Sequence, residues 1–262
     1  MRSLYITGVI SLLVMQAIVT QAQSTTERGY AIAAEADRRE QGFVDSIAEM
    51  EMILSNQYGD KSTRRVTVKT LEVDGDGDKS LSIFEQPADV KGTVFLTYSH
   101  SQRSDDQWLY LPALKRVKRI SSKNKSGPFM GSEFAYEDIS SQELDKYTYK
   151  YIADDQYKDH AVFILERYPV YENSGYTKQI VWMDKKRYIP LKVEFYDRKD
   201  ALLKTLDINE YKQYLNQYWR AHYMHMENHQ TGKSTLLKWS DYQFRTGLNT
   251  SDFRQTSLKH AR

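Results

Sequence analysis

Residues 218–244 read YWRAHYMHMENHQTGKSTLLKWSDYQF. Two runs in which apolar and polar residues alternate, 218–226 and 235–244, flank the polar stretch Asn228-His229-Gln230-Thr231-Gly232-Lys233. A period of two sends successive side chains to opposite faces of a strand, and a short Gly-containing polar stretch returns the chain, so this segment is predicted to be a β-hairpin. The same pattern extends outward. Strands are predicted at 202–211, 191–197, 177–183, 161–168 and 147–153, and, in the first half, at 115–120, 107–111, 93–98, 81–84 and 64–73. Segment 46–56 fits a helix as well as a strand. Residues 27–39 carry Tyr30, Ala33, Ala34 and Ala36 at near-helical spacing before Gly42 breaks the run. A helical turn at 132–138 and a short final helix at 252–260 complete the reading. About ten short strands at hairpin spacing with few helices predict a mainly β chain, folded as one antiparallel barrel or strongly curved sheet. No repeat or linker divides it, so residues 23–262 are read as a single domain.

The composition narrows the classes. The 262 residues carry a formal charge of +2, too near neutrality for a chain arranged as a whole to attract nucleic acid or membrane. Residues 1–22 have the pattern of a secretory signal peptide: Arg2 near the start, an apolar stretch from 4 to 19, and the small residues Thr20 and Ala22 ahead of a cleavage point after Ala22. The expected product is a soluble periplasmic protein. With no cysteine in the chain, neither disulfides nor acylation at a lipobox is expected, and stability must come from the core. The 20 tyrosines, 9 phenylalanines and 4 tryptophans suit strands and apolar cavities with polar rims.

Several motifs resemble sites and are discounted on their chemistry. Asp74 to Glu85, DGDGDKSLSIFE, has the carboxylates of a calcium loop, but Lys79 stands where the loop needs glycine, and a Gly/Asp hairpin explains the same residues. His222, His225 and His229 would converge only on a helix; in a strand the first two face opposite ways. Residues 231–235, TGKST, lack the upstream glycine of a phosphate loop, since position 227 is Glu. No nucleophile elbow, catalytic cysteine or zinc-protease motif is present, so the chain is not read as an enzyme, and no metal or cofactor is expected.

Two groups remain as candidate binding residues. Met50, Met52, Leu54, Phe84, Phe95, Trp108, Tyr110, Phe129, Met130, Trp182, Trp219, Met224, Met226 and Trp239 form an apolar set. One by one they read as ordinary core. Together, adaptable Met and large rigid Trp suit a cavity for flexible acyl chains. Phe129 and Met130 lie in a loop bracketed by Gly127 and Gly131 that could gate a cavity mouth or plug it. The second group is basic: Lys115, Arg116, Lys118 and Arg119, extended by Lys123 and Lys125. It reads as a charge-guarded edge strand, or as a contact for anionic headgroups or an acidic partner.

Five stretches carry a family resemblance: 58–62 (YGDKS), 87–93 (PADVKGT), 106–117 (DQWLYLPALKRV), 126–134 (SGPFMGSEF) and 228–234 (NHQTGKS). On these the chain resembles the bacterial outer membrane lipoprotein-sorting proteins, a branch of the LolA/LolB-like superfamily, over roughly residues 27–253. The resemblance implies an incomplete antiparallel β-barrel around an apolar cavity with helices as a lid. It also implies residence in the periplasm, binding of lipid or lipoprotein acyl chains with transient contact to membrane surfaces, and partnership with an RND-type inner-membrane exporter. Nucleic acid is not an expected partner. The alternative is a non-enzymatic accessory or lipid-sensing module of a membrane transport complex.

Overall fold

The computed structural model describes residues 24–260; the predicted signal peptide, 1–22, lies outside them. One helix, α1 (Thr25–Glu40), precedes thirteen strands: β1 (Asp45–Ser55), β2 (Lys61–Leu71), β3 (Lys79–Gln86), β4 (Val94–Tyr98), β5 (Asp106–Leu111), β6 (Arg116–Ile120), β7 (Tyr147–Tyr157), β8 (His160–Pro169), β9 (Tyr176–Asp184), β10 (Pro190–Asp197), β11 (Leu202–Tyr214), β12 (Tyr218–Asn228) and β13 (Ser234–Phe244). All thirteen belong to one antiparallel sheet in the order β6-β5-β4-β3-β2-β1-β13-β12-β11-β10-β9-β8-β7. It is therefore two meanders, β1–β6 and β7–β13, joined where the first strand pairs with the last from Ser46 opposite Phe244 to Ser55 opposite Ser234. Strands β6 and β7 are its edges, so the curved sheet is an incomplete barrel, as expected.

The differences from the sequence reading are local. Segment 46–56 is a strand. Residue 115 turns instead of extending: Lys115 ends the short 3-10 turn Pro112–Leu114 in a left-handed conformation with φ of 47°. The helix expected at 252–260 shrinks to the 3-10 turn Gln255–Ser257.

Helix α1 starts with a capping box: Ser24 Oγ accepts from Glu27 N–H, and the Glu27 carboxylate accepts from Ser24 N–H. It packs on β7, where Ala33 meets Tyr147 and Tyr149. At Gly29 the helix comes so near that a Cβ there would lie 2.7 Å from Tyr151 N. Only glycine fits such an approach. Among the described residues no helix is long and apolar enough to cross a membrane.

The main core lies on the concave face of the sheet. It gathers Met50, Met52, Val66, Phe84, Phe95 and Leu109 from the first meander and Leu165, Val181, Val193, Leu206 and Met226 from the second. A smaller cluster lies on the convex face of the first meander, where Leu81, Ile83, Val94 and Leu96 are covered by Phe253 and Leu258 from the segment after β13. Asp45, 1% exposed, holds the start of that segment: its carboxylate accepts from Thr246 N–H, Thr246 Oγ–H and Gly247 N–H at 2.5–3.2 Å.

The long connection between the two edge strands, residues 121–146, folds back across the concave face. Phe129 is its anchor, wholly buried, with ring centroids 5.0 Å from Phe95, 5.5 Å from Tyr136 and 6.0 Å from Phe84. Polar groups on the inner face of the sheet then hold it. Arg64 donates to Met130 O. Glu133 N–H donates to Thr235 Oγ1 at 2.9 Å, Lys204 Nζ donates to Glu133 O at 2.8 Å, Asn228 donates to the Glu133 carboxylate at 2.7 Å, and Gln107 donates to Tyr136 O at 3.0 Å. Five strands thus grip one connection.

Candidate ligand-binding cavity

The second meander curves away from this plug and leaves a cavity of about 1420 Å³. Drug-sized ligand pockets run to about 300–1,000 Å³, so the space exceeds what one compact small molecule fills. Its wall is built by alternation. Leu165 on β8, Val181 and Met183 on β9, Val193 and Phe195 on β10, and Leu206 and Ile208 on β11 all face it, two residues apart along their strands. Met224 and Met226 continue it on β12, Trp239 on β13, and Ala48 and Val68 on β1 and β2. Phe134 and Asp138 of the plug border one part, and Tyr30, Ala33 and Ala36 of α1 border another. Near the end of the sheet the lining changes phase: Ile208 is followed by Tyr211 and Trp239 by Tyr242. Between them stand Glu210 and Asp241, with φ of 54° and 52°. Left-handed residues inside a strand re-aim the side chains beyond them.

The entrance is acidic. Asp37 and Glu40 of α1, Glu72, Asp74, Asp76 and Asp78 of the β2–β3 turn, and Glu143 and Asp145 ahead of β7 all border it. Several of these carboxylates serve the fold. Glu72 accepts from Gly42 N–H and Val44 N–H, and Asp76 accepts from Ser101 N–H and meets His100 Nδ1 at 2.6 Å. Burial, reinforced by Glu143 and Glu72, pushes the Asp78 carboxyl up to about 7. Two cations border the cavity, Arg167 and Arg220. Arg220 pairs with Glu40 and stacks 5.4 Å from the Phe43 ring centre. Arg167 hydrogen-bonds the neutral amide of Gln179.

Of the fourteen apolar candidates, Trp219, Met224, Met226 and Trp239 border the cavity. Met50, Met52, Phe84, Phe95 and Phe129 are buried in the core beneath the plug, with Leu54 and Met130 packed on them. A gate at Phe129 and Met130 does not fit this placement: Phe129 has no exposed surface, so the loop reads as a plug. Trp108 and Tyr110 sit on the convex face beside Phe253 and Leu258, and Trp182 lies in a third cluster under Lys192, whose Nζ is 4.2 Å from its ring centre. Lys115, Arg116, Lys118 and Arg119 are exposed along the edge β6, and none borders the cavity. Arg119 pairs with Asp106. The Pro112–Leu114 turn that leads into β6 lies against Gly92, at the end of β3 opposite the acidic β2–β3 turn.

The discounted motifs have local explanations. His222 meets Tyr214 Oη at 2.9 Å, His229 meets Thr205 Oγ1 at 2.7 Å, and His225 stands between Asp207 and Leu236 in the ladder. Among the described residues no group of three or more His, Cys, Asp and Glu side chains is placed to hold a metal ion. Reasoning from Met and Trp missed the aliphatic wall of β8–β11, the cation Arg167 in it and the inward Lys204 that holds the plug. The available signal was phase: 163/165/167, 179/181/183, 193/195 and 204/206/208 form one inward register, so charges at 167 and 204 point inward, Lys204 buried and Arg167 half-buried.

Comparison with known proteins follows the same outline. A family model described as "Uncharacterized protein" matches residues 76–260. No curated protein matches the chain. Among solved structures, an outer membrane lipoprotein-sorting protein domain from Vibrio parahaemolyticus is 62% identical, with a TM-score of 0.88 over 89% of this chain and 99% of that one. A DUF1329 family protein from Desulfovibrio piger is 30% identical, with a TM-score of 0.85 over 90% of this chain and 100% of that one. A LolA superfamily protein from Nitrosomonas europaea, 20% identical, shares the fold with a TM-score of 0.70 over 87% of this chain and 98% of that one.

Proposed function

Since the chain belongs to the family of outer membrane lipoprotein-sorting protein domains and has a LolA-like fold, we propose that it is a periplasmic carrier. In this reading it holds lipid or lipoprotein acyl chains in its cavity and hands them between membrane partners, an RND-type exporter among them, without chemical turnover. The observation that carries the reading is the cavity of about 1420 Å³, walled by aliphatic and Met side chains from seven strands of the sheet. Each methylene moved from water into such a wall is worth about 0.8 kcal/mol, so a long chain binds strongly without any specific polar contact. Retention then depends on how much of the chain is buried, and release on a partner that offers an equally apolar path.

The acidic entrance bears on docking. Even with Glu40 paired to Arg220 and Asp78 pushed up to about 7, carboxylates dominate the entrance, which is repelled by an anionic leaflet and attracted to a basic partner, so transfer through a protein suits it better than direct collision with lipid. The exposed basic edge of β6 lies away from that entrance and leaves a second surface for membrane or partner contact.

The test is native mass spectrometry of the protein purified from the periplasm without detergent, with identification of any released molecule. A discrete added mass that yields a lipid or an acylated protein supports the carrier. A bare mass that stays bare after incubation with total membrane lipid overturns it and leaves a partner-binding accessory.

A further inference from the structure

Several polar side chains on the inner face of the sheet have a common employment. Arg64, Gln107, Lys204, Asn228 and Thr235 all bond the plug. Arg167, on β8, does not. Its Nε donates to Gln179 Oε1 at 2.6 Å and its guanidinium carbon lies 4.9 Å from the Tyr147 ring centre. Among the described residues no carboxylate oxygen comes within 4.0 Å of it. Two acids that share the surroundings of Tyr147 with Arg167 are already taken. Asp138 accepts from Lys204, Tyr176 and Ala135 N–H, and Glu137 accepts from Tyr171, Ser174 and Gly175 N–H. Arg167 is thus a half-buried guanidinium on the cavity wall whose two terminal nitrogens have no protein acceptor.

A charge removed from bulk water without a counter-charge is costly. It is tolerated where a ligand supplies the missing partner. The planar fork of a guanidinium matches a carboxylate or a phosphate, and with Nε held by Gln179 the terminal nitrogens are presented in a fixed orientation. The strand register completes the site. Arg167 stands opposite Gln179, and the next inward rung on the same two strands is Leu165 opposite Val181. Met183 follows on β9, so an apolar track begins one rung from the cation.

We propose that Arg167 is a headgroup anchor, and that the cargo is an amphiphile whose anionic oxygen group, a fatty-acid carboxylate or a phospholipid phosphodiester, meets the guanidinium while its acyl chain lies along Leu165, Val181 and Met183. This rests on the lipid-carrier reading and narrows it: cargo bound through neutral ester groups alone leaves the guanidinium unpaired.

The experiment titrates the full chain with two matched pairs of monomeric ligands and follows the fluorescence of Trp219 and Trp239, which border the cavity. Laurate is compared with dodecanol, and dilauroyl phosphatidylglycerol with dilauroylglycerol. The wild type is expected to bind the anionic member of at least one pair tenfold or more tightly. Preference in the first pair alone assigns a fatty acid, and in the second alone a phospholipid. Arg167→Gln is expected to erase the preference while leaving affinity for the neutral member unchanged, and Arg167→Lys to restore part of it. Equal binding within both pairs by the wild type overturns the anchor but leaves the carrier standing. No binding of any of the four overturns the carrier reading as well. Should Arg167→Gln fail to fold, Arg167→Lys is read in its place: an undiminished preference overturns the anchor, and a reduced one supports it.

Discussion

Lys204 Nζ lies 2.8 Å from Asp138 Oδ2, and the two side chains are 4% and 8% exposed. This buried ion pair fastens the plug to β11, and Asp138 is further bound by Tyr176 Oη–H and Ala135 N–H. Removing one partner of a buried pair strands the other charge, which costs about 3–5 kcal/mol, whereas replacing both by apolar residues is often near neutral. Lys204→Met should therefore lower unfolding free energy by about 3–5 kcal/mol in urea titrations, and Lys204→Met with Asp138→Leu should recover part of the loss. A single variant as stable as the wild type would refute this role for the pair.

Phe129 fills the space between Phe84, Phe95 and Tyr136. Phe129→Ala should cost about 3–5 kcal/mol, the range for deleting a buried ring from a packed core. If the loop were instead a mobile gate, chemical denaturation would place the variant within about 0.5 kcal/mol of the wild type, as for a surface change.

Asp78 ionises only near pH 7 in the folded protein, mainly because it is buried and secondarily because Glu143 and Glu72 are close. In the unfolded chain its carboxyl titrates near 4. Between about pH 4 and 7 the folded state holds the extra proton, so this group's contribution to stability declines as pH rises through that window and is flat above it. Asp78→Asn should raise Tm at pH 7.5 and flatten the decline between pH 4 and 7. Parallel Tm–pH curves for the two proteins would contradict the assignment.

Ala221 borders the cavity on β12 and is only partly buried. Ala221→Trp should project an indole into the open space and reduce acyl-chain affinity tenfold or more, with Tm within a few degrees of the wild type, because the volume is taken from a void and not from packed core. Unchanged laurate affinity in a fluorescence titration would mean that the chain lies elsewhere.

How far the sequence discloses this molecule follows from where period-two alternation holds. Strands β7–β13 and the hairpin 218–244 are legible because each keeps one inward register over four or more residues. Segment 46–56 is not: Glu49 and Glu51 alternate with Ala48, Met50 and Met52, yet Ile47 and Ile53 share the glutamates' face, so apolar residues occur in both phases. Position 115 is missed because its left-handed φ belongs to a lysine, a residue that does not announce turns. The cavity is harder still. Large side chains such as Phe84 and Phe95 attract attention but fill the core under the plug, while the open space is walled by Leu165, Val181 and Leu206, which look like ordinary strand residues. Tyr211 and Tyr242 escape a period-two search because the left-handed residues Glu210 and Asp241 shift the phase just before them. What is absent from a cavity leaves no residue in the sequence to read.

The pairing of β1 with β13 sets the order in which the molecule can be made. These strands lie about 190 residues apart and supply the seam between the meanders. Contacts of such long separation form late, after the loop between them has been closed at an entropic cost. While residues 234–244 are still unmade, β1 on one side and β12 on the other each present an unpaired edge. An emerging chain can therefore pair each strand with its sequence neighbour as it is made, but the two meanders are joined into one sheet only when the thirteenth strand arrives.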